Sequence, residues 1–116
     1  MIRNETKGVL LAEEVGVADT FFGRLRGLLG RRKMRKGEAL VIDPCSSIHT
    51  VGMRFTIDAI FLDKKRRVIG LCKSIKPFRF TRVYWNAKYV VELPDSSIER
   101  SGTDIGDEIS IDELED

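Results

Sequence analysis

Cys45 to Asp63, CSSIHTVGMRFTIDAIFLD, concentrates the residue types that can do chemistry. It holds His49, the chain's single histidine, one of its two cysteines, Cys45, and the carboxylates Asp58 and Asp63. An imidazole titrates near neutrality, so His49 beside Asp58 has the makings of a general acid–base pair. Cys45 with His49 has the makings of a thiolate nucleophile. The same two side chains also suit a soft metal, with Asp58 or Cys72 completing the ligands. The competing reading is structural. Cys45 and Cys72 pack as small hydrophobes, and His49 bonds to loop backbone. The structural reading is the stronger expectation, with no metal and no cofactor.

Asp58 poses the sharper question, because it lies between Ile57 and Ala59 in an apolar run. A carboxylate buried there must find donors, since an unpaired buried charge costs several kcal/mol. Arg54 lies about 13 Å away along an ideal strand, too far for a direct bond. His49 and Thr50, on the segment entering the strand, are better placed, and Gly52 lets that segment fold close. The expectation is one polar cluster of His49, Thr50 and Asp58, with Cys45 nearby, which pins the loop or binds a ligand.

Two further constellations are cationic. Arg24, Arg26, Arg31, Arg32, Lys33, Arg35 and Lys36 lie between Phe21 and Gly37 without an acid. Thr20, Gly23 and Gly27 stand among the first of them, and glycine on an exposed helix face costs about 1 kcal/mol, so something is expected to approach that face. The second set, Lys73, Lys76, Arg79 and Arg82, is interleaved with Phe78, Phe80, Tyr84 and Trp85. Cations with stacking aromatics suit single-stranded nucleic acid. The alternative is aromatics covering an open barrel end, with arginines snorkelling around them.

The elements that must position these groups are mostly strands. KGVLLAEEVGVA reads as one strand or a short hairpin turning near Glu14, EALVID as a strand stopped by Pro44, and Phe55 to Asp63 as a strand with both faces at least partly buried. DKKRR is a hairpin turn before RVIGLCKSI. Lys88 to Leu93 and Glu108 to Ile111 complete the strands. Asp19 to Gly30 reads as an amphipathic helix, with Phe21, Phe22, Leu25, Leu28 and Leu29 within an arc of about 120°. Asp95 or Ser96 would cap one helical turn near 95–101. The fold class is mainly β: a small barrel-like antiparallel or mixed domain with the helix against one side. Its core should include Leu40, Ile57, Phe61, Val68, Ile69, Val90 and Ile109.

At 116 residues a single domain is expected, with the acidic end, 112–116, frayed. The net charge of +2 conceals an asymmetry: residues 20–91 carry 17 Lys or Arg against four acids, whereas residues 92–116 carry ten acids against Arg100. No apolar run reaches the roughly 20 residues that cross a bilayer, and no signal-peptide core precedes Glu13. A cytoplasmic location with reduced cysteines is therefore expected. No phosphate loop, dinucleotide-binding glycine pattern or nucleophile elbow is present.

The segments FFGRLRGLLGRRKM, CSSIHTVGM with Thr56-Ile57-Asp58 and IFLD, YVVELPD and DIGDEI occur in this order over most of the chain. Together they resemble the signature of a bacterial and archaeal family, domain of unknown function family 192, whose activity is not established. The resemblance implies that the loop before Asp58 and Asp58 itself act as a unit. A glycine is common in that family where Ser96 stands. Three functions remain open. The first is a binding domain for an anionic ligand or nucleic acid. The second is a small hydrolase-like enzyme using His49 with Asp58 or Cys45. The third is a structural interaction domain using the glycine face.

Overall fold

The computed structural model of this chain describes residues 1–19 and 31–114. The helix expected over Asp19–Gly30, with its apolar stripe, its glycines and Arg24 and Arg26, falls outside that description beyond Asp19. In chain order the elements are β1 (Ile2–Asn4), β2 (Val9–Ala12), β3 (Glu14–Ala18), β4 (Glu38–Ile42), β5 (Ile57–Leu62), β6 (Val68–Ile75), β7 (Tyr89–Pro94), helix α1 (Ser97–Ser101), β8 (Ile109–Ile111) and a final 3-10 turn, Asp112–Leu114.

Among the described residues the architecture is mainly β with one short helix, α1, so the mainly β class and the helical turn near 95–101 stand as the sequence predicts. The strands form two open sheets rather than a closed barrel. One is ordered β2-β1-β8 and the other β3-β4-β7-β5-β6. Pairing is antiparallel except between β3 and β4. The sheets meet at a corner where Arg67 bridges Glu108 and the Val68 N–H donates to the Asp107 carbonyl at 2.9 Å.

β5 is buried at all six positions because its sheet is covered on both sides. Ile60 and Leu62 join Val41, Val91, Ile98, Ile109 and others on the face toward the small sheet. Ile57, Ala59 and Phe61 join Leu40, Ile42 and Val90 on the opposite face, beneath Met34, Ile48 and Met53. Of the core expected among described residues, Leu40, Ile57, Phe61, Val68, Val90 and Ile109 are buried, and Ile69 is half-buried.

One strand assignment needs correction. KGVLLAEEVGVA is neither one strand nor a hairpin, since β2 and β3 belong to different sheets. The chain turns the corner at Glu13, where the Gly37 carbonyl accepts both the Glu13 and Glu14 N–H groups at 2.9 and 3.0 Å. Neither glutamate is buried, so the corner costs no carboxylate desolvation. The 63–67 turn forms as read. Asp63 Oδ1 accepts the Lys65 and Arg67 N–H groups at 2.9 and 3.0 Å, and Arg66 takes a left-handed φ of 65°.

Candidate functional site

Asp58 is fully buried, and each carboxylate oxygen takes one backbone donor at 2.8 Å: Oδ1 from Ser74 and Oδ2 from Ile98. Both donors follow from local geometry. Along the β5–β6 pair, Ile57 faces Ile75 and Ala59 faces Cys72, so Lys73 and Ser74 together oppose Asp58 in a bulge. Ser74 has φ 51°. Ile98 lies in the first turn of α1, whose leading N–H groups lack partners within the helix. Ser96 stands at the N-cap with φ 71° and its side chain makes no capping bond. The expectation that Asp95 or Ser96 caps this turn therefore fails. Asp58 caps it from the neighbouring strand.

The expected cluster of His49, Thr50 and Asp58 is not one hydrogen-bonded unit. Asp58 points to the α1 side of the large sheet, whereas Ile48 and Met53, which flank Thr50, pack on the other side. Thr50 is also fully buried. Its hydroxyl donates to the Lys76 carbonyl at 2.6 Å and accepts the Arg79 N–H at 2.9 Å. Its N–H donates to the Arg79 carbonyl at 2.8 Å, and its carbonyl accepts the Phe78 N–H at 3.0 Å. Asp58 and Thr50 thus hold successive parts of one segment, 74–79, from two sides.

The pairing continues beyond Thr50. Thr81 N–H donates to the Ile48 carbonyl at 3.0 Å, Tyr84 N–H to Ser46 at 2.8 Å, and Cys45 N–H to Lys88 at 2.9 Å. Segments 45–50 and 78–88 are therefore zipped together as an irregular ribbon. His49 faces Phe80 across it, with ring centroids 5.9 Å apart. The His49 Nδ1 accepts the Val51 N–H at 3.3 Å, and the Cys45 thiol donates to the Ser47 carbonyl at 3.0 Å.

Tyr84 nails the ribbon to the sheet. Its ring stacks on Phe61 at 4.2 Å and lies flat over Gly70, where a Cβ would come within 2.3 Å of it. The Arg82 guanidinium covers Tyr84 at 4.1 Å. The hydrogen bond to Cys72 and burial raise the phenol's pKa, and Arg82 opposes them. A lone glycine in a strand is the sequence signal for such a close approach.

The ribbon leaves several large apolar side chains outside. Phe78 is 63%, Phe80 76% and Trp85 86% exposed, with Val51 and Val83 also exposed. Lys76, Arg79 and Arg82 lie exposed among them. The first cationic set is different. Arg31 makes a bidentate pair with Glu38 at 2.6 and 2.9 Å, which, with the Arg35 N–H, lowers the Glu38 pKa to about 2. Arg31 is thus a strut rather than a free cation, while Arg32 is exposed.

The sequence matches the family DUF192, described as "Uncharacterized ACR", over residues 2–111. The chain belongs to the DUF192 family. A UPF0127 protein of Thermococcus sibiricus is 38% identical over 113 residues, covering 94% of this chain and 73% of that one. A UPF0127 protein of Pyrococcus furiosus is 35% identical, covering 91% and 93%. Among solved structures, a protein of unknown function from Novosphingobium aromaticivorans superposes with a TM-score of 0.75 at 19% identity, over 84% of this chain and 74% of that one. That likeness shows the fold alone.

The last DUF192 segment, DIGDEI, has a structural role here. Asp107 is buried, and burial works against its charge. Hydrogen bonds from Asn4 Nδ2 at 2.9 Å, the Asp104 N–H at 2.9 Å and Lys7 Nζ at 3.2 Å still hold its carboxyl below the usual range. Asn4 also donates to Thr103 at 3.0 Å. Neither Cys45 nor Cys72 is in a disulfide. Among the described residues no three His, Cys, Asp or Glu side chains form a metal-ligating group, and no helix is long and apolar enough to cross a membrane. Sequence reasoning missed the Asp58 partners, because both are backbone N–H groups with no side-chain signature.

Proposed function

We propose that this DUF192 chain is a non-catalytic binding domain that takes single-stranded nucleic acid on the 45–50/78–88 ribbon. The observation that carries this reading is the exposure of Phe78, Phe80 and Trp85 on a segment held rigid by Thr50 and Tyr84. Exposing three large aromatics wastes burial free energy, on the order of 25 cal/mol per Å². A loop with no task would bury them or replace them. Rings on a fixed frame give bases surfaces to stack on, each contributing about 1–3 kcal/mol. Lys76, Arg79 and Arg82 supply charge for the phosphates. The hydrolase alternative is less favoured, since both Asp58 oxygens are bonded to backbone and no carboxylate from Asp58 orients His49.

Trp85 is the chain's single tryptophan and serves as the reporter. Titration with single-stranded RNA or DNA should quench its fluorescence, with affinity falling linearly in log salt. Duplex DNA should bind without comparable quenching. The proposal fails if neither single strand binds in a salt-dependent way, or if heparin matches them and Phe80→Ala changes nothing.

A further inference from the structure

A second recognition feature lies away from the ribbon. Two adjoining clefts, of about 500 and 420 Å³, share Lys36, Pro94 and Arg100. The first runs along β2 and has an apolar wall of Val9, Leu10 and Leu11. The second is bounded by Lys33, Met34, Phe55 and Thr56. One groove thus joins an apolar half to a half carrying three exposed cations.

These cations are available to a ligand. Among the described residues, Lys33 and Lys36 form no ion pair. Among the same residues, Arg100 spends its guanidinium only on the Asp95 carbonyl at 3.2 Å and the Ser97 hydroxyl at 3.5 Å. The acids lining the groove are Glu13 and Asp95. Asp95 is engaged by the Ser74 hydroxyl at 2.6 Å. Arg100 rides on α1, and α1 is seated by the Asp58–Ile98 bond. Asp58 therefore positions one wall of the groove.

We infer that this groove binds an amphiphilic organic anion, with a phosphate or carboxylate head at Lys33, Lys36 and Arg100 and an apolar body along Leu10, Leu11 and Pro94. The shared chemistry is an acyl or alkyl chain bearing an acidic head, met either as a free molecule or as a lipid at a bilayer surface. Charged hydrogen bonds from two cations to one phosphate are strong enough that losing them weakens binding about tenfold or more.

The test is calorimetric titration of the full chain with n-decyl phosphate below its micelle concentration, against inorganic phosphate, decanol and decyltrimethylammonium. Saturable binding at one site per chain is expected for decyl phosphate, at least tenfold tighter than for any comparator. Lys36→Glu with Arg100→Ala should abolish that margin, and Leu10→Asp should reduce it. All three side chains are exposed, and unchanged thermal midpoints would certify the variants. Phe80→Ala and Trp85→Ala should leave decyl phosphate binding intact, so the groove and the ribbon succeed or fail separately. Sedimentation with phosphatidylglycerol vesicles separates the two sources. Co-sedimentation lost in the double variant assigns the ligand to a bilayer, and its absence assigns it to a free amphiphile. No saturable binding, equal binding of inorganic phosphate, or indifference to the double variant would overturn the inference.

Discussion

Asp58 and Trp85 stand at the two extremes of this molecule. Asp58 is a charged group with no exposure, in the middle of the sheet. Trp85 is a large ring that is 86% exposed. Each inverts the usual preference of its residue type. The first inversion is compensated inside the fold, since two backbone donors at 2.8 Å replace the water the carboxylate lost. The second has no compensation among the contacts of the described residues. A polar group out of place but fully bonded explains architecture. An apolar group out of place on a rigid frame points outward, to a partner.

The largest effect should therefore come from Asp58. Removing the carboxylate leaves the buried Ile98 N–H without an acceptor and frees the bulge at Ser74. Asp58→Ala should cost about 3 kcal/mol in urea denaturation, and Asp58→Asn, which keeps one acceptor oxygen, about 1–2 kcal/mol. A loss below about 0.5 kcal/mol for the alanine variant would mean that the carboxylate is not the clasp between β5, β6 and α1.

Gly70 tests where the two regions meet. A methyl group there would come within 2.3 Å of the Tyr84 ring, so Tyr84 must leave its stack on Phe61. Gly70→Ala should cost about 1–3 kcal/mol, as overpacking does, and should make residues 76–88 newly sensitive to proteolysis. Equal resistance to protease would show that the ribbon stays fixed without Tyr84.

The Arg31–Glu38 pair gives a smaller, pH-dependent effect. The folded pKa of Glu38, about 2, lies below its ordinary value. Its contribution is therefore complete above the unfolded carboxylate pKa and is lost as pH falls from about 5 toward 2. Solvent screening at the partly exposed arginine reduces this to about 1–2 kcal/mol. Arg31→Met should lose that amount at pH 7 and show a flatter acid limb. Parallel acid limbs in the two proteins would remove Glu38 as the cause.

The sequence made the middle of the fold legible because β5, β6 and β7 are apolar runs wedged between two layers, and such runs have few other uses. β1 escaped notice, and β3 was read as strand but not separated from β2 into another sheet. β1 has only three residues, and β3 shows no clean alternation of buried and exposed positions. Asp58 was legible as a carboxylate in need of donors. Its partners were not, because the β5–β6 bulge and the seating of α1 bring them from 16 and 40 residues away and both are main-chain N–H groups. Ser96 shows the same limit in reverse. It takes a left-handed φ of 71°, a conformation that favours glycine, and spacing could not reveal that.

The smallest stability effect should come from the ribbon tips, and its smallness is what makes it informative. Phe80 is 76% and Trp85 86% exposed, so truncating either removes little buried area. Trp85→Ala should change unfolding free energy by less than about 0.5 kcal/mol, the range of ordinary surface substitutions. Phe80→Ala also loses the ring contact with His49 and should cost somewhat more, about 0.5–1 kcal/mol. If the ribbon is a recognition surface, the same two substitutions should each weaken single-strand binding by about 1–3 kcal/mol, the size of one stacked base, followed by anisotropy of a labelled oligonucleotide because the first variant lacks tryptophan. Binding loss without stability loss is the signature of residues kept for a partner. A stability loss at Trp85 matching that at Asp58 would erase the contrast and return the ribbon to architecture.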